Sequence, residues 1–216
     1  MANIYINSQL KLSRNHLQVK DVTDKWTTLH YQQGGLDGAC VVYSTIMALL
    51  CIGYIPETDI NIWNLKKPDK RTAAGKLLSH LLEEQGLVRD GYCISTMAKE
   101  LRIYCNDLDI KVHSRNSDIA KITKDYVESD IPVVLRVRNE DFDHGILAIG
   151  TEYDENEKLH KIFCLDPGYP INGSCYWNCV IDTSRVNTGN FSYWYITDEV
   201  QSKIEIKDIL AIDWNN

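Results

Sequence analysis

From Cys40 to Ile52 the chain reads Cys-Val-Val-Tyr-Ser-Thr-Ile-Met-Ala-Leu-Leu-Cys-Ile, apolar on nearly every face, and Gly53 follows. A run of helical length without a polar stripe predicts a helix buried in the core and stopped at the glycine. Asp37 and Gly38, just before it, are residue types favoured at a helix N-cap. Thr72 to Gln85 is amphipathic instead, with Ala74, Leu77, Leu78 and Leu81 on one stripe and Gly86 as its stop. Ser95 to Tyr104 and Ser117 to Ser129 each open on a capping serine. Their helical spacing runs through Met97 and Leu101 in the first, and through Ile119, Ile122 and Tyr126 in the second.

From Pro132 the hydrophobic period changes. Val133 to Arg138, His144 to Gly150 and Leu159 to Asp166 read as strands, separated by polar turns at Asn139 to Asp143 and Glu152 to Lys158. An antiparallel meander is the simplest topology for them. Tyr176 to Ile181, Phe191 to Ile196 and Ile204 to Ile212 extend or close that sheet, and Ile4 to Ile6 is an extended piece at the N-terminus. A helical first half followed by a strand-rich second half predicts an α+β fold. With no repeat, low-complexity tract or Pro/Gly-rich linker, residues 1–216 are expected to form a single domain. Residues 1–30 fit equally an inhibitory or docking piece and an integral part of the fold.

Composition narrows the function. Hydrophobic residues make up 44% and charged residues 25% of the 216 residues, as in globular proteins. The net charge is −7, and no Lys/Arg-rich block offsets it. Neither nucleic acid nor an anionic membrane is therefore expected as a partner. No signal-peptide pattern or bilayer-length apolar run occurs, so the expected location is cytoplasmic, with any export independent of a cleaved signal. The seven cysteines contain no CxxC pair, and there is no HExxH, so neither a disulfide framework nor a metal cofactor is expected.

One cysteine has a different setting. Gln33-Gly-Gly-Leu-Asp-Gly-Ala-Cys40 runs directly into the buried helix. A thiol in a first helical turn lies among N–H groups without helical acceptors, at the positive end of the dipole, which favours thiolate. The glycines allow close backbone approach to a bound carbonyl, and the Gln33 amide is within sequence reach of an oxyanion beside the Cys40 N–H. Taken alone, Cys40 also fits a plain core thiol. His144 opens a core strand, at the rim of the sheet, where a general base is neither sealed off nor fully wet. The other histidines (16, 30, 80, 113, 160) lie in polar or amphipathic surroundings, and most of them read as surface residues. Asp166 ends the next strand before Pro167-Gly168. A hairpin turn centred near Glu155 sets His144 opposite Asp166, with Cβ atoms about 5 Å apart. The carboxylate then holds one imidazole nitrogen and leaves the other for a thiol.

The order Gln, Cys on a helix, His-led strand, strand ending in Asp-Pro resembles the papain-like cysteine peptidases. It is closest to the branch that trims bacteriocin leader peptides and to related stand-alone bacterial effector proteases. The resemblance spans Tyr31 to Pro170 and rests on three short motifs. It implies a helical lobe packed on an antiparallel β-sheet lobe, a peptide or protein substrate, and no cofactor. In its terms Cys40 is the nucleophile, His144 the general base and later acid, Asp166 the orienting carboxylate and Gln33 the oxyanion donor. Two positions depart from the pattern: Gln33 is one residue further from Cys40, leaving Gln32 as the other choice, and Val41 stands where the leader-trimming branch often has glycine. The same triad serves a glutamine deamidase or transglutaminase, and a papain-like shell also exists as a binding module without catalysis. Trp177, Trp194 and Tyr193 are expected to pack the β lobe, and Tyr54, Tyr92 and Asp154 to Glu157 to lie on the surface or in turns.

Overall fold

The computed structural model describes residues 2–14, 16–34, 38–60, 68–83, 92–114, 118–185 and 189–215. Four short strands come first: β1 (Asn3–Ile6), β2 (Lys11–Ser13), β3 (His16–Lys20) and β4 (Trp26–Thr28). Helices α1 (Cys40–Cys51), α2 (Glu57–Ile60), α3 (Ala73–Glu83) and α4 (Ile94–Tyr104) follow, then β5 (Leu108–Ser114) and α5 (Ile119–Val127). The remainder is strand: β6 (Val133–Arg138), β7 (Asp143–Tyr153), β8 (Leu159–Leu165), β9 (Cys179–Asp182), β10 (Tyr193–Ile196) and β11 (Gln201–Trp214). Asp37, Gln85, Gly86 and Ser117 fall outside the described residues.

Helices and an antiparallel sheet are both present, as the hydrophobic patterning predicts, with one correction to the expected architecture. Strands β6 to β11 are successive antiparallel neighbours, and β11 pairs back onto β6, so the meander closes into a six-stranded barrel. Strand β11 is long enough to serve several neighbours: its first residues pair with β10, its middle with β6 and its last seven with β5. Strand β1 adds to β7 through Ile4↔Glu152 and its neighbours. The division into a helical and a stranded half is also corrected, because β1 to β5 all precede Pro132.

Alternation along the strands sorts side chains into two cores. Val134, Leu147, Ile149, Leu165, Leu210 and Ile212 join α1, α3 and α4 in one cluster. Their strand neighbours Val133, Leu135, Ile146, Ala148, Cys164, Ile209 and Ala211 form the other with Ile119, Ala120 and Val127 of α5. Residues 1–30 belong to the fold: Leu10, Leu17, Val19 and Leu29 are in the α1 cluster, and β2–β3–β4 form a small sheet of their own. Tyr54 and Tyr92, expected at the surface, are buried in that cluster. Asp154 to Glu157 is the turn expected, with Asp154 Oδ1 accepting the N–H groups of Asn156 and Lys158.

Eleven of the twelve residues of α1 are buried, so the helix has to be enclosed on all sides. Its N-cap is Ala39, without a side-chain cap bond. What fixes its start is β7. A Cβ at Gly145 would lie 2.7 Å from Val41 Cγ2 and 2.9 Å from both Val41 Cα and N. Backbone atoms of a buried helix cannot yield as a flexible side chain can, so only glycine admits the first turn of α1 this close. Ser44 Oγ then donates to Gly145 O at 3.1 Å, and Gly145 N–H donates to Cys40 Sγ at 3.2 Å.

Gly145→Ala is expected to push α1 away from β7, at a cost of about 1–3 kcal/mol. Urea unfolding checks the loss of stability, and iodoacetamide labelling of the surviving folded protein checks that Cys40 loses its partners. A variant as stable and as reactive as the parent would show that the contact does not fix the helix.

Candidate active site

Cys40 is the first residue of α1, 7% exposed, and its own N–H lies outside the ladder of the helix. His144 is the second residue of β7 and shares a strand face with Ile146 and Ala148, at the end of the barrel. Asp166 follows β8 directly and has no exposed surface. His144 Nε2 donates to Asp166 Oδ1 at 2.7 Å. The remaining ring nitrogen, Nδ1, is the one left for Cys40, whose titration the imidazole lowers.

The expected contact is present, but the register behind it is not the one the hairpin arithmetic gives. Leu147 pairs with Leu165 and Ala148 with Cys164, two residues off the expected alignment, and bulges interrupt the ladder at Ala148/Gly150 and Glu152/Tyr153. Continued past its last pair, the ladder sets Asp166 opposite Ile146, so His144 meets it diagonally along the same face. Diagonal neighbours remain within reach of long side chains.

A buried carboxylate is costly unless its oxygens are bonded, and those of Asp166 are. Oδ1 accepts His144 Nε2 and the Gly168 N–H at 2.6 Å, and Oδ2 accepts the Tyr195 hydroxyl. The Asp166 backbone is held as well. Its N–H donates to Asn178 Oδ1 at 2.7 Å, and its carbonyl accepts Asn178 Nδ2 at 2.8 Å and His30 Nε2 at 2.9 Å. Asn178 Nδ2 also donates to Tyr169 O at 2.9 Å, which uses both its hydrogens. Its 3.3 Å approach to His30 Nε2 is therefore a near contact, and His30 is the donor to Asp166. Burial holds the His30 pKa below its ordinary value, so the ring is neutral. Gly168 sits against the pair: a Cβ there would be 3.0 Å from Asp166 Oδ1 and 3.6 Å from the His144 ring.

The electrostatics of Cys40 and His144 point the same way. Burial raises the Cys40 pKa, but the hydrogen bond to His144, its charge, and the N–H groups of Gly145 and Val41 outweigh it, and the thiol titrates below its ordinary value. Burial disfavours imidazolium at His144, yet the bonds to Asp166 and Cys40 outweigh that and raise it to about 10. Both shifts lean toward thiolate beside imidazolium, the form in which a thiol is the stronger nucleophile.

Gln33 lies in the wall of a pocket of about 410 Å³ beside His144. Its N–H donates to Pro167 O at 2.8 Å, and its Oε1 is buried without a hydrogen-bond partner. Gln32 is exposed. The rest of the pocket wall is Phe142, Asp143, Gly168, Tyr169, Tyr195 and Val200. Among the described residues no group of three or more His, Cys, Asp or Glu is arranged to hold a metal ion, and no helix is long and apolar enough to cross a membrane.

No family model matches the chain, and no curated protein matches it. Among solved structures it is similar to UfSP from C. elegans, with a TM-score of 0.48 and 14% identity over 99% of this chain and 34% of that one. The chain thus spans about a third of that protein's length. A likeness this slight carries no argument, and the chemistry rests on the geometry above.

Tyr195, Asn178 and His30 were not legible as site residues. His30 is partly buried and bonded to Asp166 O, not the surface residue its polar neighbours suggest. Tyr195 alternates out of the strand Tyr193–Ile196, and nothing local shows that it ends beneath a carboxylate. Trp177 stacks on Phe163 with ring centroids 4.1 Å apart, and Trp194 lies under Lys203 Nζ. Trp177 and Tyr193 pack as expected, while Trp194 is half-buried and joins neither core cluster.

Because the causes lowering the Cys40 pKa begin with His144, removing that ring leaves burial to raise it. The pH profile of iodoacetamide alkylation at Cys40 is expected to move to higher pH in His144→Ala, with the rate at neutral pH down at least ~10-fold. The measurement belongs in a Cys93→Ser, Cys175→Ser background. Cys93 is itself lowered to about 7 by the Ser95 and Thr96 hydroxyls, and Cys175 is exposed. Coincident profiles for the two proteins would dissolve the pair.

Proposed function

We propose that this chain is a cysteine peptidase of papain-like design that cleaves an amide bond in a peptide or protein. The observation that supports it is the Cys40–His144–Asp166 chain of contacts, with the thiol lowered and the imidazole raised. In this reading the Cys40 thiolate attacks the carbonyl carbon and a C–S bond forms. The oxyanion takes hydrogen bonds from the Cys40 N–H and from the side-chain NH2 of Gln33, which lies beside His144 in the pocket wall. His144 gives its proton to the departing nitrogen as the C–N bond breaks, then takes one from the water that resolves the thioester. Asp166 keeps Nε2 occupied, so Nδ1 remains the working nitrogen. The likeness to leader-trimming peptidases goes no further than the three short motifs.

Deamidation or transglutamination would begin with the same thioester. Its leaving group is ammonia, which needs no room. The pocket beside His144 is large enough for an amine that carries a residue, and this favours cleavage of a peptide-type bond over deamidation, while a transglutaminase would use the same room for its acceptor amine.

Incubation with a proteome-derived peptide mixture, read by mass spectrometry, is expected to yield new amino termini. Cys40→Ser and His144→Ala should each lower the yield by roughly 1,000-fold or more. Ammonia release from glutamine without new termini would move the reading to a deamidase. Neither product, with Cys40 no more reactive than exposed Cys175, would leave a binding protein.

A further inference from the structure

The pocket beside His144 touches the proton donor and the Gln33 side chain but not Cys40, which is absent from its wall. That asymmetry assigns it to one half of a substrate. In acyl transfer to a thiol the acyl half becomes bonded to Sγ, while the amine half must lie against the group that protonates it. A cavity walled by the imidazole and set apart from the sulfur is therefore on the amine side.

Its chemistry is mainly apolar, with its charged groups matched. Phe142, Tyr169, Tyr195 and Val200 supply ring and branched aliphatic surface, with the Phe142 and Tyr195 rings 5.6 Å apart. Asp143 is the one carboxylate in the wall, and it is already matched. Arg136 binds it through two bonds, Nε to Oδ1 at 2.7 Å and Nη2 to Oδ2 at 2.5 Å. The same guanidinium reaches Asp208 at 3.2 Å. Among the described residues a basic substrate residue thus finds no free carboxylate, and the one cation an acidic residue would meet in the wall, the His144 imidazolium, is already bonded to Asp166. Val200, 36% exposed, stands at the outer edge, where an apolar residue gains water-excluding cover when a substrate side chain enters.

Resting on the cysteine-hydrolase reading, we propose that this pocket selects the residue on the amine side of the cleaved bond, and that it takes a bulky aromatic or branched aliphatic side chain. The balance of the step defines the assay. Sγ–C forms, C–N breaks, and the leaving nitrogen takes the His144 proton. In reverse, an amine bound in the pocket gives a proton to His144, attacks the thioester, and releases Sγ.

The test uses that reverse step, so no natural substrate has to be known. Cys40 is acylated with the thiobenzyl ester of acetylglycine, and the acyl-enzyme is divided between water and added amines. The amines are the amides of glycine, leucine, phenylalanine, arginine and glutamic acid at equal concentration, whose nucleophilic nitrogens are of similar basicity. Phenylalaninamide and leucinamide are expected to capture the acyl group about 10-fold better than glycinamide, as burial of one such side chain implies. Argininamide and the glutamic acid amide should stay near glycinamide. Val200→Asp should erase the advantage of phenylalaninamide and raise capture by argininamide. Equal capture of all five amines, or an unchanged order in Val200→Asp, would overturn the pocket assignment while leaving the hydrolase intact. No acylation of Cys40 by the thioester would instead remove the hydrolase reading, and the pocket with it.

Discussion

Gly145 carries no side chain, and the first turn of α1 lies where one would be. Much of the site follows from that contact. It brings Cys40 Sγ onto the Gly145 N–H and sets the sulfur beside the ring of the preceding residue in β7. Ser44 closes the same join from the helix side through Gly145 O. Cys40 and His144 are therefore held by main chain and helix, not by long side chains free to turn, and main-chain placement is the more exact kind. Val41 makes this fit possible in its present form, since its Cα, N and Cγ2 are what fill the space.

The second requirement is a buried negative charge. Asp166 has no exposed surface, and a carboxylate so placed is tolerable only with its acceptors filled. The groups that hold it come from well-separated parts of the chain: His144 from β7, Tyr195 from β10 and the Gly168 N–H fill its carboxylate, while Asn178 from just before β9 and His30 from just after β4 hold its main chain. Barrel closure is what makes this convergence geometric. Strands β8, β9 and β10 are neighbours only because the meander runs on, and β11 locks them to β6.

The elements themselves were largely legible in the sequence, because each has a local cause. The unbroken apolar face of Cys40 to Cys51 and the stripe through Ala74, Leu77, Leu78 and Leu81 correspond to α1 and α3. Strands β6 to β11 lie within a few residues of their apolar runs. What was not legible has no local mark. The β7–β8 hairpin turns about Asn156 and not Glu155, which moves the pairing beside the site by two residues, and nothing in the polar run from Glu152 to Lys158 marks that centre. The closing β11–β6 pairing joins segments far apart in the chain, and no turn signal announces it. The short strands β2, β3 and β4 carry their buried face on few residues, Leu17, Val19 and Thr27 among them, too few to register as a period. Cys40, His144 and Asp166 carry their own chemistry in their residue types, whereas Tyr195 and Asn178 matter through contacts alone.

The distance along the chain between the parts of the site bears on when it comes into being. Cys40 and the Gly145 N–H it accepts are 105 residues apart, and β11, which ties β10 and β6 together, is the last strand described. During synthesis the thiol emerges early and its barrel late, and long-range pairings of this kind form only once both partners exist. A half-made chain carries the sulfur without the His144 ring and the Gly145 N–H that lower its titration in the folded protein. The lowered thiol is thus a property of the assembled barrel, and no stretch of chain that stops short of β7 carries it.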